Sequence, residues 1–306
     1  FRRVLFRSAP ERSIAPAAAI TVVDREGRTV GFATPPRRVV SLSPSTTELL
    51  FALGRGHAVV GATTYCDHPP AARDVPRVGS GTPEGISREA ILALEPDLVL
   101  CKWDKHQPLL EPLERVGIKT AAIGPESLTE LFAEAEMLGR ITGAEREAAD
   151  FVAGMRGRLE SLTARVERSR TGRPQRVFYE VWDNPLMSAG PKSFIGELLE
   201  LAGLENILRD ASTRYPRISD EVVVARNPDI ILAPTTHFQI VDVADIAKRP
   251  GWSTINAIRD RRVFLIQGDA VSRCGPRVLD ALEQIVDVVH AEPSPVKVPP
   301  TGENAP

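Results

Sequence analysis

Short apolar runs alternate with amphipathic stretches along most of this chain. Val39-Val40-Ser41-Leu42 is followed by Ser43-Pro44-Ser45-Thr46-Thr47 and then by Glu48-Leu49-Leu50-Phe51-Ala52-Leu53-Gly54. Pro and Ser/Thr ahead of Glu48 suit a helix N-terminus, and Gly54 suits its end, so the segment reads strand, loop, helix. Val59-Val60-Gly61 reads as a short buried strand. Residues 87–94 form a helix pattern with Ser87 as cap and Glu89 in the first turn. Pro96-Asp97 breaks it before an apolar strand at 98–101. A helix at 108–116, a strand at 120–123 and a helix at 128–141 follow. Apolar strands separated by helices predict parallel sheets covered on both faces.

Residues 145–168 carry the longest uninterrupted helical pattern. Phe151, Val152, Met155, Leu159, Leu162 and Val166 recur at steps of mostly three or four, with charges between them. About 24 residues at 1.5 Å each would extend roughly 36 Å, about a small domain's diameter. Beyond it the alternation restarts, with strands at 176–181, 230–233 and 263–266 and helices at 193–202, 221–225 and 276–290.

The second half echoes the first. Ser87-Arg88-Glu89 leading to Pro96-Asp97-Leu98 matches Ser219-Asp220-Glu221 leading to Pro228-Asp229-Ile230. Upstream, Glu48-Leu49-Leu50 ending at Gly54 matches Glu197-Leu198-Leu199 ending at Gly203. Two segments repeated in one order imply two similar lobes, with the long helix as a strut between them. The fold expected is α/β, with mainly parallel sheets flanked by helices. Its first lobe spans 20–142, its linking helix 143–170 and its second lobe 171–290. Residues 1–19 are expected to be non-native or disordered and 291–306 a disordered, Pro-rich tail.

Composition narrows the function. Over 306 residues, 42% are hydrophobic and 25% charged, ordinary for a soluble globular chain, and the net charge is −2. Nucleic acid is not expected, because phosphate binding needs a concentrated basic face. Phe1 to Ser8 is basic and apolar but too short for a signal-peptide core, and it resembles translated cloning or adapter sequence. Ala15-Pro16-Ala17-Ala18-Ala19 is like the end of a signal peptide. Cys66, Cys101 and Cys274 cannot all pair within one chain, although one bridge remains open. His57, His68, His106, His237 and His290 are scattered, with no spacing that suggests zinc. No resident metal or cofactor is expected.

Two facing α/β lobes form a cleft, and ligands of parallel sheets lie beyond the carboxyl ends of the strands. Candidate contacts therefore follow the strands. Tyr65, Trp103 and Trp182 lie in such loops and Tyr215 lies just before a helix, whereas Thr235-Thr236-His237-Phe238 is a further strand exit. Aromatics so placed suit a broad, flat, apolar ligand, although each alone also suits loop packing. Trp252 is assigned to packing.

The ordered motifs resemble a known family. Arg38 to Gly54, Val60-Gly61, Tyr65-Cys66-Asp67-His68-Pro69, Val78-Gly79 and Leu94-Glu95-Pro96-Asp97 look like the helical-backbone class of periplasmic binding proteins. The likeness runs from about residue 20 to 290. It implies a monomeric solute-binding protein that delivers cobalamin, haem or a ferric siderophore to an ABC permease dimer. Its expected location is periplasmic, or extracellular and lipid-anchored. The cobalamin-binding branch is the most similar. Tyr65, Tyr215 in Tyr215-Pro216-Arg217-Ile218-Ser219, and Asp269 with Arg273 fall where that branch meets the corrin. Met187 stands where the branch has Phe, Pro83 where it has Trp, and Trp103 one place from a family Trp. Asp269 and Arg273 could instead be an i,i+4 pair capping the last helix, or Arg273 could answer an anionic siderophore or a haem propionate.

Glu89 and Glu221 occupy equivalent repeat positions, and the resemblance implies that each docks on a permease arginine. Helix N-termini favour Glu in any case, so capping is the plainer account of either one. The rival class is a hydrolase. No G-x-S-x-G elbow or Walker loop occurs, and adjacent Cys66, Asp67 and His68 rarely place three side chains on one centre.

Overall fold

The computed structural model describes residues 20–170, 172–235 and 242–290. Expectations for 1–19, for 291–306 and for His237 and Phe238 lie outside the described residues. Alternating burial in β1 (Ile20–Val23) and β2 (Thr29–Phe32) makes an antiparallel hairpin. Wholly buried β3 (Val39–Ser41) leads into α1 (Pro44–Ala52), whose Pro44 occupies the first turn as expected. Then come β4 (Val59–Ala62), α2 (Arg88–Ala93), β5 (Leu98–Lys102), α3 (Gln107–Arg115), β6 (Lys119–Ile123) and α4 (Leu128–Thr142). The first sheet is all parallel, in the order β4-β3-β5-β6.

The helix α5 (Glu145–Ser169) is continuous over 25 residues. Its first half packs on α4 so closely that a Cβ on Gly139 would sit 2.6 Å from that of Ala148. The expected apolar stripe is the buried one: Val152, Met155, Leu162 and Val166 are buried, and Phe151 and Leu159 pack partly buried against the same core.

The second lobe contains β7 (Arg176–Asp183), β8 (Leu186–Ser188), α6 (Phe194–Leu201), β9 (Glu205–Asn206), α7 (Asp220–Arg226) and β10 (Ile230–Thr235). It ends with α8 (Val243–Ala247), α9 (Asn256–Arg259), β11 (Val263–Gln267), α10 (Gly268–Val271) and α11 (Val278–His290). Parallel strands run β9-β7-β10-β11, which is the order of the first sheet, with β8 added antiparallel on β7. Arg158 and Arg165 in the second half of α5 pair with Asp280, Glu283 and Asp287 of α11. The strut thus touches the last helix of each lobe.

The repeated Pro-Asp has a structural task. Asp97 accepts hydrogen bonds from the backbone N–H of Arg37 and Arg38 at 2.8 and 3.0 Å, fixing the start of β3. Asp229 accepts one from Arg176 N–H at 3.0 Å, fixing the start of β7. Trp252 is fully buried, edge-on to Phe178 at 5.9 Å, with its indole N–H donated to Asp220 at 2.7 Å. It packs, as expected.

Candidate ligand-binding site

The carboxyl ends of both sheets face a cleft of about 740 Å³ between the lobes. Ser43 and Ser45 after β3, Asp104 after β5 and Glu126 after β6 line one wall; Trp182, Tyr215, Asp269 and Arg273 line the other. Tyr65, from the turn after β4, joins the first wall. Most large apolar side chains are covered, yet Tyr65, Trp182 and Tyr215 are 40%, 42% and 37% exposed. Three aromatic side chains are thus left partly uncovered around one hollow, a surface of the kind that suits an apolar partner.

Local structure holds these rings. Trp182 donates its indole N–H to Asn184 O at 2.8 Å, across the β7–β8 turn. A Cβ on Gly81 would lie 3.0 Å from the Tyr65 ring, so the bare glycine lets the ring settle against its loop. Burial, and then Glu126 nearby, push the Tyr215 phenol up to about 12, so it is a neutral donor at ordinary pH.

Two expected contacts stand elsewhere. Trp103 does not line the cleft; Arg25 lies over its ring at 5.0 Å. Its backbone N–H still bonds Ile123 O at 2.9 Å, so strand alternation sends its side chain away from Lys102, which does line the cleft. Met187 is also off the cleft wall. It sits directly opposite Trp182 in the β7–β8 pairing.

Arg273 is on the cleft wall, but its partners are a finding the sequence did not suggest. Its guanidinium lies 3.4 Å from Glu48, 3.1 Å from Asp67 and 3.7 Å from Asp269. Arg277 makes a two-pronged pair with Glu48, at 2.7 and 2.9 Å. Glu48 and Asp67 belong to the first lobe and both arginines to the second, so this cluster ties the lobes together. Arg214 of the second lobe likewise pairs with Glu126 of the first. The i,i+4 pair of Asp269 with Arg273 is real and is only the longest of Arg273's three ion pairs. A lone acid in a helix of small and apolar residues was the available signal for Glu48.

Polar groups on the remaining wall are also engaged. Lys102 pairs with Asp104 at 2.8 Å. His106 is buried: its Nδ1 accepts from Lys102 N–H at 3.0 Å and its Nε2 lies 3.2 Å from Gly81 O. Burial lowers its pKa, which leaves a neutral ring with both nitrogens in use. Among the described residues no group of three His, Cys, Asp or Glu could hold a metal ion. Cys66, Cys101 and Cys274 are free and buried. Cys66 turns into the first lobe's core while Asp67 faces Arg273, so Cys66, Asp67 and His68 do not share a centre.

Glu89 and Glu221 are both exposed, in the first turns of α2 and α7. Its own backbone amide and then the Ser87 hydroxyl, 3.1 Å away, lower the Glu89 pKa; the Ser219 hydroxyl and then its own amide lower that of Glu221. Both stay charged in water. No helix among the described residues is long and apolar enough to cross a membrane.

Comparison with known proteins agrees with this architecture. An uncharacterized ABC transporter substrate-binding lipoprotein, YvrC of Bacillus subtilis (strain 168), is 30% identical over 278 residues, covering 89% of this chain and 86% of the relative. A vitamin B12-binding protein of Yersinia pestis (strain Pestoides F) is 31% identical over 261 residues, covering 85% and 88%. Among solved structures, the periplasmic heme-binding protein RhuT from Roseiflexus sp. RS-1 superposes with a TM-score of 0.73 at 26% identity, covering 83% of this chain and 98% of RhuT. The family described as periplasmic binding protein matches residues 39–270. With that match laid over a duplicated sheet, a strut helix and an interlobe cleft, this chain belongs to the periplasmic binding protein family.

Proposed function

We propose that this protein is the solute-binding component of an ABC importer, working outside the cytoplasmic membrane and carrying cobalamin or a related corrinoid in its cleft. The observation that carries the ligand reading is the pairing of aromatic faces with neutralised charge. Tyr65, Trp182 and Tyr215 offer apolar faces to a broad macrocycle. Lys102, Arg214 and Arg273 each already face a carboxylate. Such a rim suits the amide donors and acceptors of a corrin, which Asp269 and Arg273 would meet. Kinship with a vitamin B12-binding protein points the same way. The metal would arrive with the ligand.

Haem or a ferric siderophore is the rival ligand, and the likeness to RhuT favours haem. Acidic groups on either would seek unpaired cations; Lys105 alone among the cleft's described cations has no ion pair. Glu89 and Glu221, one per lobe, would dock on a two-fold permease and set its orientation.

Titration with cobalamin and with hemin, followed by visible absorbance and calorimetry, tests the ligand. Cobalamin should bind at about micromolar Kd or tighter, and Tyr65→Ala or Trp182→Ala should weaken it by about tenfold, the loss expected for one aromatic contact. Saturation by hemin with cobalamin silent would reject the corrinoid and keep the binding class.

A further inference from the structure

Arg273 reaches the cleft wall already met by three carboxylates, and two of these, Glu48 and Asp67, come from the opposite lobe. Glu48 is the anchor. Its side chain is 3% exposed, and its two oxygens are taken up by the two-pronged pair with Arg277 as well as by Arg273. Neither Glu48 nor Asp67 is among the residues lining the cleft; both meet Arg273 from the first lobe, where they set its position and offset its charge. An arginine held in this way can still donate hydrogen bonds to a carbonyl, but it offers little net attraction to a ligand carboxylate.

We infer that Glu48 and Asp67 are specificity-determining positioning residues: by occupying Arg273 from across the lobes, they make the cleft choose a ligand whose rim carries amides over one whose rim carries carboxylates. This rests on the cleft being the corrinoid site. It assigns the choice to two residues of the first lobe that need not touch the ligand. Removing either negative charge leaves Arg273 partly unanswered, and an acidic rim group then becomes its natural partner.

The test is a matched ligand pair that differs in one charge. Dicyanocobinamide is titrated beside its monocarboxylate derivatives, in which one peripheral amide has been hydrolysed, with wild type, Asp67→Asn and Glu48→Gln. The readout is the ratio of the carboxylate Kd to the amide Kd. Wild type should disfavour at least one carboxylate isomer by about tenfold, within reach of one partly screened charge at close range. In both variants that ratio should fall below about threefold. A merely structural role would weaken both ligands together and leave the ratio in place. A wild-type ratio near one, or a ratio unmoved in both variants, overturns the inference while leaving the corrinoid reading intact. Failure of wild type to bind either form overturns both. Asp67 is a third exposed, so Asp67→Asn keeps the test alive should Glu48→Gln fail to fold.

Discussion

In the first sheet β3 lies between β4 and β5, and Val39 sits opposite Leu98. In the second, β7 lies between β9 and β10, and Val177 sits opposite Ile230. Leu98 and Ile230 each follow the repeated Pro-Asp, so the sheets agree in order and in register. The joint between the lobes does not repeat. Glu48 and Glu197 are equivalent residues of α1 and α6, and each reaches the start of the other lobe's last helix. Glu48 finds two arginines there; Glu197 finds the backbone N–H of Leu128, at 3.1 Å. A sheet repeats wherever its burial pattern repeats, whereas a joint depends on a few polar residues. One glutamate is thus closed in by two arginines of the other lobe, whereas its equivalent meets a backbone amide, with the Arg214–Glu126 pair beside it.

The outer faces should behave alike where the joint does not. Reversing Glu89 or Glu221 singly, each to Arg, should lower uptake by about tenfold, and the double reversal should bring it to background, because like charges brought together at a docking face cost several kcal/mol. Ligand affinity of the purified protein should be retained. Unequal losses from the two single changes would break the equivalence of the lobes at that face, and lost affinity would contradict docking.

Stability should expose the asymmetry of the joint. Arg277→Ala removes the main partner of a buried carboxylate and should cost about 3 kcal/mol in urea denaturation. Ser127 holds the matching place before α4, where its hydroxyl accepts a hydrogen bond from Glu130 N–H at 3.1 Å. Ser127→Ala should cost about 1 kcal/mol, the usual value of an N-cap. Equal costs would mean that the Arg277–Glu48 pair holds the lobes together no better than a cap within one lobe holds its helix.

How much of this was legible depended on range. The sheets, the strut and the buried role of Trp252 follow from local period and apolar runs. Tyr65 and Trp182 were legible because an aromatic at a strand's end has little core to enter, and Tyr215 because it stands in the loop before α7. Trp103 misled because its direction depends on the strand pairing continuing one residue past Lys102. Met187 misled because the chain after Trp182 turns straight back as strand β8, which the resemblance did not signal. Glu48 with Arg273 and Arg277 spans 225 and 229 positions, and nothing local signals such a pair.

The smallest effect gives the sharpest contrast, because equivalent substitutions should have opposite signs. Burial is the largest influence on Glu197 and raises its pKa from the usual 4.5, against the opposing bond from Leu128. The folded state therefore holds this proton more tightly than the unfolded chain, and the protein loses stability as pH climbs from the unfolded pKa to the raised one. Glu197→Gln removes the charge yet keeps an oxygen to accept from Leu128. It should leave stability unchanged below about pH 4 and raise it by less than about 1 kcal/mol at neutral pH, the discount reflecting a half-buried site. Glu48→Gln keeps the shape but forfeits two charge-assisted partners, and should lower neutral-pH stability by about 1–2 kcal/mol. Denaturation curves for both variants at the two pH values decide the matter. A gain for both, or a loss for both, would show that the joint repeats after all and that its asymmetry is one of geometry without energy.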